Sequence, residues 1–210
     1  MSAVNPAIVP SAATADPLKL GVLASGMGSN YVAISEAICR GQLDATVAVV
    51  IYNNPGAGVA EKAREFGVPA VLLNHREYAS REDVDRDIVT VLNRHGVELV
   101  VMAGWMRRVT QELINAFPRR MLNIHPSLLP SFPGLHAVKQ ALDYGVKFSG
   151  CTVHWVELEV DSGPIVHQAV VPVRDDDTEA SLQARIQVEE HRIYPEAIAL
   201  VLTILRSQQG

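Results

Sequence analysis

Short apolar runs alternate with segments of helical periodicity along most of the chain. Residues 18–24 and 46–51 are largely apolar, as is typical of strands buried on both faces of a parallel sheet. Shorter apolar runs predict three further strands at 70–73, 99–103 and 121–125. Between the strands, the spacing of apolar residues predicts helices that end near residue 40 and cover 58–66, 81–95 and 135–144. This alternation predicts an α/β fold, a doubly wound and mostly parallel sheet with helices on both faces.

The pattern changes in the C-terminal part of the chain. Two longer strands, predicted at 150–157 and 165–173, flank the turn at residues 161–164 (DSGP) and are expected to pair antiparallel. A final helix is expected from about Thr178 to the C-terminus. Pro195 is expected to kink or restart this helix, because proline has no amide hydrogen to continue the helical hydrogen bonds.

Length and composition are those of one ordinary globular domain. The 210 residues are 48% hydrophobic and 20% charged, which is enough for a well-buried core. Residues 18–206 are predicted to form a single domain, and residues 1–17 a disordered tail. The formal net charge is −5 and no basic block is present. Nucleic acid is therefore excluded as the main partner, because binding a phosphate backbone needs a positive stripe.

The cysteines and the lack of long apolar runs predict a cytoplasmic protein. Cys39 and Cys151 have neither metal-ligand nor disulfide spacing, and both are interpreted as small core residues. No apolar run reaches transmembrane length, and the chain start lacks the features of a secretory signal, so no membrane partner is expected. The oligomeric state stays open, a homodimer included.

The segment at residues 123–130 (NIHPSLLP) carries the first candidate chemistry. Residues two apart on a strand project from one face, so Asn123 and His125 are expected to point into one site while Ile124 faces the core. An amide and an imidazole, with a carboxylate brought close by folding, are suited to acyl transfer, because they can stabilise an oxyanion and manage a proton. The alternative is a polar strand end capped by a proline-rich turn.

The glycine-rich loop between the first strand and the first helix is a candidate phosphate site. Its residues Gly26-Met27-Gly28-Ser29-Asn30 combine close backbone approach with the free amides of a helix N-terminus. A dinucleotide site is disfavoured, because the third glycine of that motif is missing at residues 31–33 and no acidic residue ends the second strand. The loop therefore predicts a single phosphate. A tight glycine turn without a ligand stays an alternative.

Together, several ordered motifs resemble the phosphoribosylglycinamide formyltransferase family over residues 18–192. The motifs are residues 24–30 (ASGMGSN), 103–107 (AGWMR), 123–130 (NIHPSLLP), 133–136 (PGLH), 161–164 (DSGP) and 190–195 (EHRIYP). The resemblance implies Asn123, His125 and Asp161 as the catalytic residues. It implies Gly28, Ser29 and Asn30 as the holders of the substrate phosphate, and Gln187 and Glu190 as contacts to its glycinamide or ribose. The implied folate contacts are Arg81, Met106, Arg107, Arg108 and Val109, with Asn123 and Asp161.

The resemblance also implies the reaction. The amine of 5'-phosphoribosylglycinamide (GAR) would attack the formyl carbon of the co-substrate 10-formyltetrahydrofolate in purine biosynthesis. The tetrahedral oxyanion would then be stabilised by Asn123 and protonated His125, while Asp161 handles the amine proton. The partners would be these two small molecules. No metal is predicted, because no cluster of His, Cys, Asp and Glu has metal-ligand spacing.

Other activities stay open at this stage. The main alternative is 10-formyltetrahydrofolate deformylase, which passes the formyl group to water. Two further formyltransferases, one for methionyl-tRNA and one for a sugar-nucleotide amine, share the core. A non-catalytic sensor of folate or nucleotide would retain only binding. An NAD-dependent dehydrogenase would need the dinucleotide motif.

Two further positions lie close to these motifs. His154 either lies beside the site or is a strand histidine satisfied within the sheet, and the second interpretation is favoured. The resemblance raises the expectation of a cis bond at Leu129–Pro130, since cis is otherwise a minority state even before proline.

Overall fold

The computed structural model describes residues 16–207 and contains one seven-stranded sheet. The strands are β1 Leu18–Ala24, β2 Ala45–Tyr52, β3 Ala70–Leu72, β4 Leu99–Met102, β5 Met121–His125, β6 Phe148–Trp155 and β7 Ile165–Pro172. Their order is β3-β2-β1-β4-β5-β6-β7. Neighbouring strands from β3 to β5 pair parallel, and β6 and β7 join antiparallel. The doubly wound, mostly parallel sheet expected from the sequence is confirmed.

Helices cover the sheet on both faces. They are α1 Ser29–Cys39, α2 Val59–Glu65, α3 Arg81–Arg94, α4 Gln111–Ala116, α5 Ala137–Tyr144 and α6 Glu179–Ser207, with a short 3-10 turn at His75–Glu77. One buried cluster joins the sheet to α1, α2, α5 and α6, and a second joins it to α3 and α4. The central strands contribute to both clusters, which explains their nearly continuous apolar runs.

The last helix differs from its prediction. α6 is continuous from Glu179 to Ser207 with Pro195 inside it, so of the two effects expected of the proline, a kink or a restart, the restart was wrong. The residues around the proline pack too well to leave the helix, since Ile193, Tyr194 and Ala197 are fully buried. The hydroxyl of Tyr194 also bonds to the carbonyl oxygens of Met102 at 3.0 Å and Leu122 at 3.1 Å. Tertiary packing therefore outweighs the local cost of the proline.

Two smaller expectations need correction. The sequence patterns did not predict α4, which has six residues and buries only Leu113, too short a segment to show helical periodicity. Cys39 was expected in the core but is exposed, because it is the last residue of α1 and lies where the helix leaves the sheet.

Two statements about extent complete the fold. Most of the tail predicted at residues 1–17 lies outside the described residues. Across residues 16–207, no helix is both long and apolar enough to cross a membrane.

Candidate active site

A cavity of about 890 Å³ opens at the carboxyl ends of the central strands. Strand order reverses between β1 and β4, because β1 leads to β2 on one side while β4 and β5 follow on the other. Ligands in open α/β sheets bind at this reversal. The cavity is lined by the loop after β1, the loop after β4, the end of β5, the turn before β7 and one face of α6.

The end of β5 places Asn123 and His125 in this cavity. His125 is only 6% exposed. Its Nε2 atom lies 2.8 Å from the carbonyl oxygen of Phe132, and its Nδ1 atom lies 3.2 Å from Oδ2 of Asp161. Because each ring nitrogen faces an acceptor, only the imidazolium form can donate to both. The carboxylate of Asp161 supplies the opposite charge to that form.

Asp161 is brought to the site by the turn before β7. Its Oδ2 atom also accepts the backbone N–H of Gly134 at 2.8 Å, and its Oδ1 atom lies 3.6 Å from Nε2 of His154. Burial alone would raise the pKa of Asp161, but the bonds from His154 and Gly134 and the charge of His125 outweigh burial and lower it. The side chain is therefore a carboxylate at neutral pH, available to accept a proton.

The turn that carries Asp161 depends on a close backbone approach. A Cβ atom at Gly163 would lie 1.9 Å from the carbonyl oxygen of Trp155, so no other residue fits without moving the turn. Asp161 itself adopts a left-handed conformation with φ of 54°. Such backbone conformations are uncommon for residues other than glycine, and here one aims the carboxylate at His125.

His154 belongs to the site, so the favoured interpretation as a histidine satisfied only within the sheet was incomplete. It pairs with Asn123 across the antiparallel strands β5 and β6, and its Nε2 atom lies 3.2 Å from Nδ2 of Asn123. Its Nδ1 atom lies 2.8 Å from the carbonyl oxygen of Trp155. Its Nε2 atom thus stands between the Asn123 amide and the Asp161 carboxylate, and the ring fixes the position of the amide. The signal available in the sequence was a histidine inside the strand-like run at 150–157, whereas its pairing with Asn123 arises only on folding.

The glycine-rich loop at residues 26–30, the predicted phosphate loop, also lines the cavity. Gly28 is left-handed with φ of 80°, and a Cβ atom there would lie 2.7 Å from Cγ2 of Val59. α1 begins at the next residue, Ser29, so the first free amides of the helix face the loop and offer a site for an anion. Ser29 Oγ accepts from Nε2 of Gln187 at 2.9 Å, which leaves the serine proton free to donate to a ligand.

Glu190 adds a buried carboxylate beside the phosphate loop. It is 5% exposed, and its Oε2 atom accepts from Nδ2 of Asn30 at 3.0 Å. Burial raises the pKa of Glu190, while the bond from Asn30 opposes the rise. A carboxylate in this position can bind the amine or hydroxyl groups of a polar ligand. The structure therefore brings Gln187 and Glu190 next to the loop, 158 and 160 residues away from their partners in sequence.

The residues expected to bind folate lie mostly on one wall. Met106, Arg107, Arg108 and Val109 line the cavity. Exposed apolar side chains surround its mouth, among them Met27, Met106, Leu135 and Leu158. Arg81 does not line the cavity; it is the first residue of α3, and its charge adds to burial in lowering the pKa of Arg107. The folate contact expected for Arg81 stays a prediction.

Sequence reasoning missed part of the α6 wall. Gln183 and Glu179 also line the cavity, and their spacing of four residues from one another and from Gln187 was the available signal. The Leu129–Pro130 bond that follows the site is cis. Within residues 16–207, no group of three or more His, Cys, Asp or Glu side chains could hold a metal ion.

An amide, an imidazole and a carboxylate at the carboxyl ends of this sheet define a site for acyl transfer. The sequence pattern of the formyl transferase family matches residues 18–198. Phosphoribosylglycinamide formyltransferase of Bacillus subtilis is 39% identical over 184 residues, which cover 88% of this chain and 94% of the relative. The crystal structure of glycinamide ribonucleotide transformylase 1 from Symbiobacterium toebii superposes with a TM-score of 0.87 at 49% identity, covering 89% of this chain and 88% of that one.

Longer relatives contain the same unit within a larger protein. The chain is 40% identical to the human trifunctional purine biosynthetic protein adenosine-3 over 183 residues, but it spans only 18% of that protein's length. It spans 14% of the corresponding Drosophila melanogaster protein. The relatives that match over most of their length are those named phosphoribosylglycinamide formyltransferase, and the chain belongs to the phosphoribosylglycinamide formyltransferase family.

Proposed function

We propose that this chain transfers the formyl group of 10-formyltetrahydrofolate to the glycinamide amine of GAR, giving N-formyl-GAR and tetrahydrofolate in purine biosynthesis. The observation that carries the proposal is one cavity with three parts: a phosphate loop at one end, an apolar rim with arginines at the other, and Asn123, His125 and Asp161 between them. Two ligands, one bound at each end of this cavity of about 890 Å³, would meet at these three residues. Residues 18–206 act as one catalytic unit in the cytoplasm.

Each end of the cavity suits one substrate. At the polar end, Gly28, Ser29 and Asn30 bind the phosphate through backbone amides and hydroxyl and amide donors, as expected at a helix N-terminus. Gln187 and Glu190 bind the ribose or glycinamide. At the other end, the 106–109 segment and Arg81 bind the folate, with exposed apolar side chains such as Met106 and Leu135 covering its aromatic rings.

The chemistry follows from the geometry of the catalytic residues. The amine nitrogen attacks the formyl carbon, and the carbonyl electrons move to oxygen. Asn123 donates an amide hydrogen to this oxyanion, which contributes roughly 3 kcal/mol, and the positive charge of the His125 imidazolium stabilises it further. Asp161 accepts the amine proton, directly or through water. When the C–N10 bond breaks, its electron pair returns to N10 of tetrahydrofolate, which takes up the proton.

Formyl transfer to water is not favoured. A hydrolase has no use for a phosphate loop joined to Gln187 and Glu190 on α6, and the relatives that match end to end are named as transferases. No metal enters the proposed reaction, because the amide and imidazolium stabilise the charge.

The test is to follow tetrahydrofolate release from 10-formyltetrahydrofolate by the purified protein, with and without GAR. Release that requires GAR is expected, with N-formyl-GAR formed in equal amount. Release at the same rate without GAR would contradict the proposal and indicate the hydrolase. A Ser29→Ala variant should raise the KM for GAR more than the KM for the folate. Serine 207, at the far end of α6, offers a matched Ser207→Ala control.

A further inference from the structure

Asp85 is a buried carboxylate that the proposed reaction does not use. It lies on α3 and is 2% exposed. Its Oδ2 atom accepts the backbone N–H of Thr110 at 2.6 Å. Burial raises the pKa of Asp85, while the Thr110 N–H and the charge of Arg107 oppose the rise. A charged group in a protein core is costly unless other groups compensate it. The groups that contact Asp85 therefore identify the part of the protein that Asp85 holds in place.

Those contacts lie at the end of the wall segment, residues 104–110, whose first six residues line the cavity. The start of this segment is hydrogen-bonded to Ser25, which directly precedes the predicted phosphate loop. Gly104 accepts the backbone N–H of Ser25 at 3.0 Å, and the Met106 N–H bonds to Oγ of Ser25 at 2.9 Å. Asp85 ties the other end through Thr110. The backbone that carries Arg107 is thus held between two anchors, one on each side.

Arg107 itself needs a fixed position. It is partly buried, and burial lowers its pKa while the charge of Asp85 raises it. Its Nη1 atom is buried and has no hydrogen-bond acceptor among the described residues. A guanidinium nitrogen without an acceptor needs one, and because Arg107 lines the cavity, a bound ligand can supply it. Asp85 contributes an opposite charge that acts on this guanidinium.

We propose that Asp85 is a positioning residue for the formyl donor: its carboxylate anchors the end of the wall segment and directs the Arg107 guanidinium toward the bound folate. The inference rests on the proposed function. Asp85 does not touch the reacting atoms or the phosphate loop, so its loss weakens folate binding and leaves GAR binding and the chemical step in place.

Two variants separate the anchor from the charge. Asp85→Asn keeps the shape and an oxygen for the Thr110 N–H but removes the charge, whereas Asp85→Ala removes both. We expect the KM for 10-formyltetrahydrofolate to rise about tenfold in Asp85→Ala, roughly the effect of losing one charge-assisted hydrogen bond, and less in Asp85→Asn. The KM for GAR and kcat should stay within about twofold. Val201→Ala is the control, because Val201 is fully buried on α6 in the core cluster that contains no residue of the wall segment, so its truncation lowers stability through loss of packing there.

A second measurement does not depend on activity. Hydrogen exchange of the wall segment in the substrate-free protein should become faster in Asp85→Ala and stay unchanged in Val201→Ala. In an Arg107→Gln background, Asp85→Asn should raise the folate KM no further, because the charge it removes acts through Arg107.

The inference is wrong if Asp85→Ala leaves the folate KM and the exchange unchanged, or if kcat and both KM values change together. If Asp85→Ala does not fold, Asp85→Asn and the Arg107→Gln cycle decide the question. A wild-type protein without GAR-dependent turnover would contradict the proposed function. The exchange measurement would still test whether Asp85 anchors the wall segment.

Discussion

Replacing Asp161 by asparagine tests the catalytic geometry most directly. Asparagine keeps the size of the side chain and an oxygen that can accept the Gly134 N–H. It removes the negative charge 3.2 Å from Nδ1 of His125 and 3.6 Å from Nε2 of His154. It also removes the carboxylate that is proposed to accept the amine proton. The substitution therefore removes the charge and the proton acceptor. It keeps the turn, which depends on Gly163.

The size of the effect can be worked out from these contacts. A hydrogen bond to a charged group contributes about 1.5–3 kcal/mol, and each 1.4 kcal/mol is about tenfold in rate, so loss of the Asp161–His125 pair alone lowers kcat by about 10- to 150-fold. Loss of a general base costs roughly 10²- to 10⁴-fold. The two losses overlap, because one carboxylate serves both roles, and we expect kcat to fall by about 10²- to 10⁴-fold. Neither substrate loses its main binding contacts, so both KM values should stay within about threefold.

The assay is steady-state kinetics with GAR and 10-formyltetrahydrofolate, with the fold checked by circular dichroism. Asp177→Asn is the matched control, since Asp177 is also a carboxylate in a polar network, bonded to Arg185 at 2.8 Å and away from the catalytic residues. Its kcat should stay within about twofold of the wild type. An Asp161→Asn protein with more than half of the wild-type kcat and both KM values intact would refute the role given to Asp161.

Other positions separate catalysis, substrate binding and stability. Asn123→Ala should lower kcat by about 10²- to 10³-fold through loss of one oxyanion donor, and single-turnover rates near wild type would contradict this. Gly28→Ala should raise the KM for GAR, because a Cβ atom there meets Val59 Cγ2 at 2.7 Å and φ is 80°. An unchanged KM for GAR would show that the loop does not bind the phosphate. Tyr194→Phe loses a buried hydroxyl shared between two backbone carbonyls, so urea unfolding should show a loss of about 1–3 kcal/mol with kcat unaffected. Because the pKa of Asp161 is lowered in the folded protein, its stabilising contribution is complete above the ordinary value of 3.8 and is lost as pH falls through the folded value. In urea unfolding below about pH 5, Asp161→Asn should therefore lose less stability with falling pH than the wild type does. Equal losses in the two proteins would contradict the lowered pKa.

Much of the fold follows from local patterns in the chain. The strands at 18–24 and 121–125 and the loop at 26–30 could be predicted because each depends on neighbouring residues: an apolar run, the alternation of side chains along a strand, and glycines before a helix. α4 and the unbroken α6 could not be predicted in this way. α4 is too short to show a period, and α6 continues through Pro195 because residues far apart in sequence pack around Tyr194.

The same division holds for the candidate site. The sequence alone placed Asn123 and His125 on one face of a strand, and it placed Ser29 and Asn30 at a helix N-terminus. Only the tertiary structure decided what surrounds them, because strand pairing and helix packing join segments far apart in the chain. The antiparallel pairing of β5 and β6 sets His154 against Asn123, and the packing of α6 brings Glu190 to Asn30 across 160 residues. Short sequence motifs thus determine which chemical groups are present. Folding determines the distances between these groups, their burial and the charges around them.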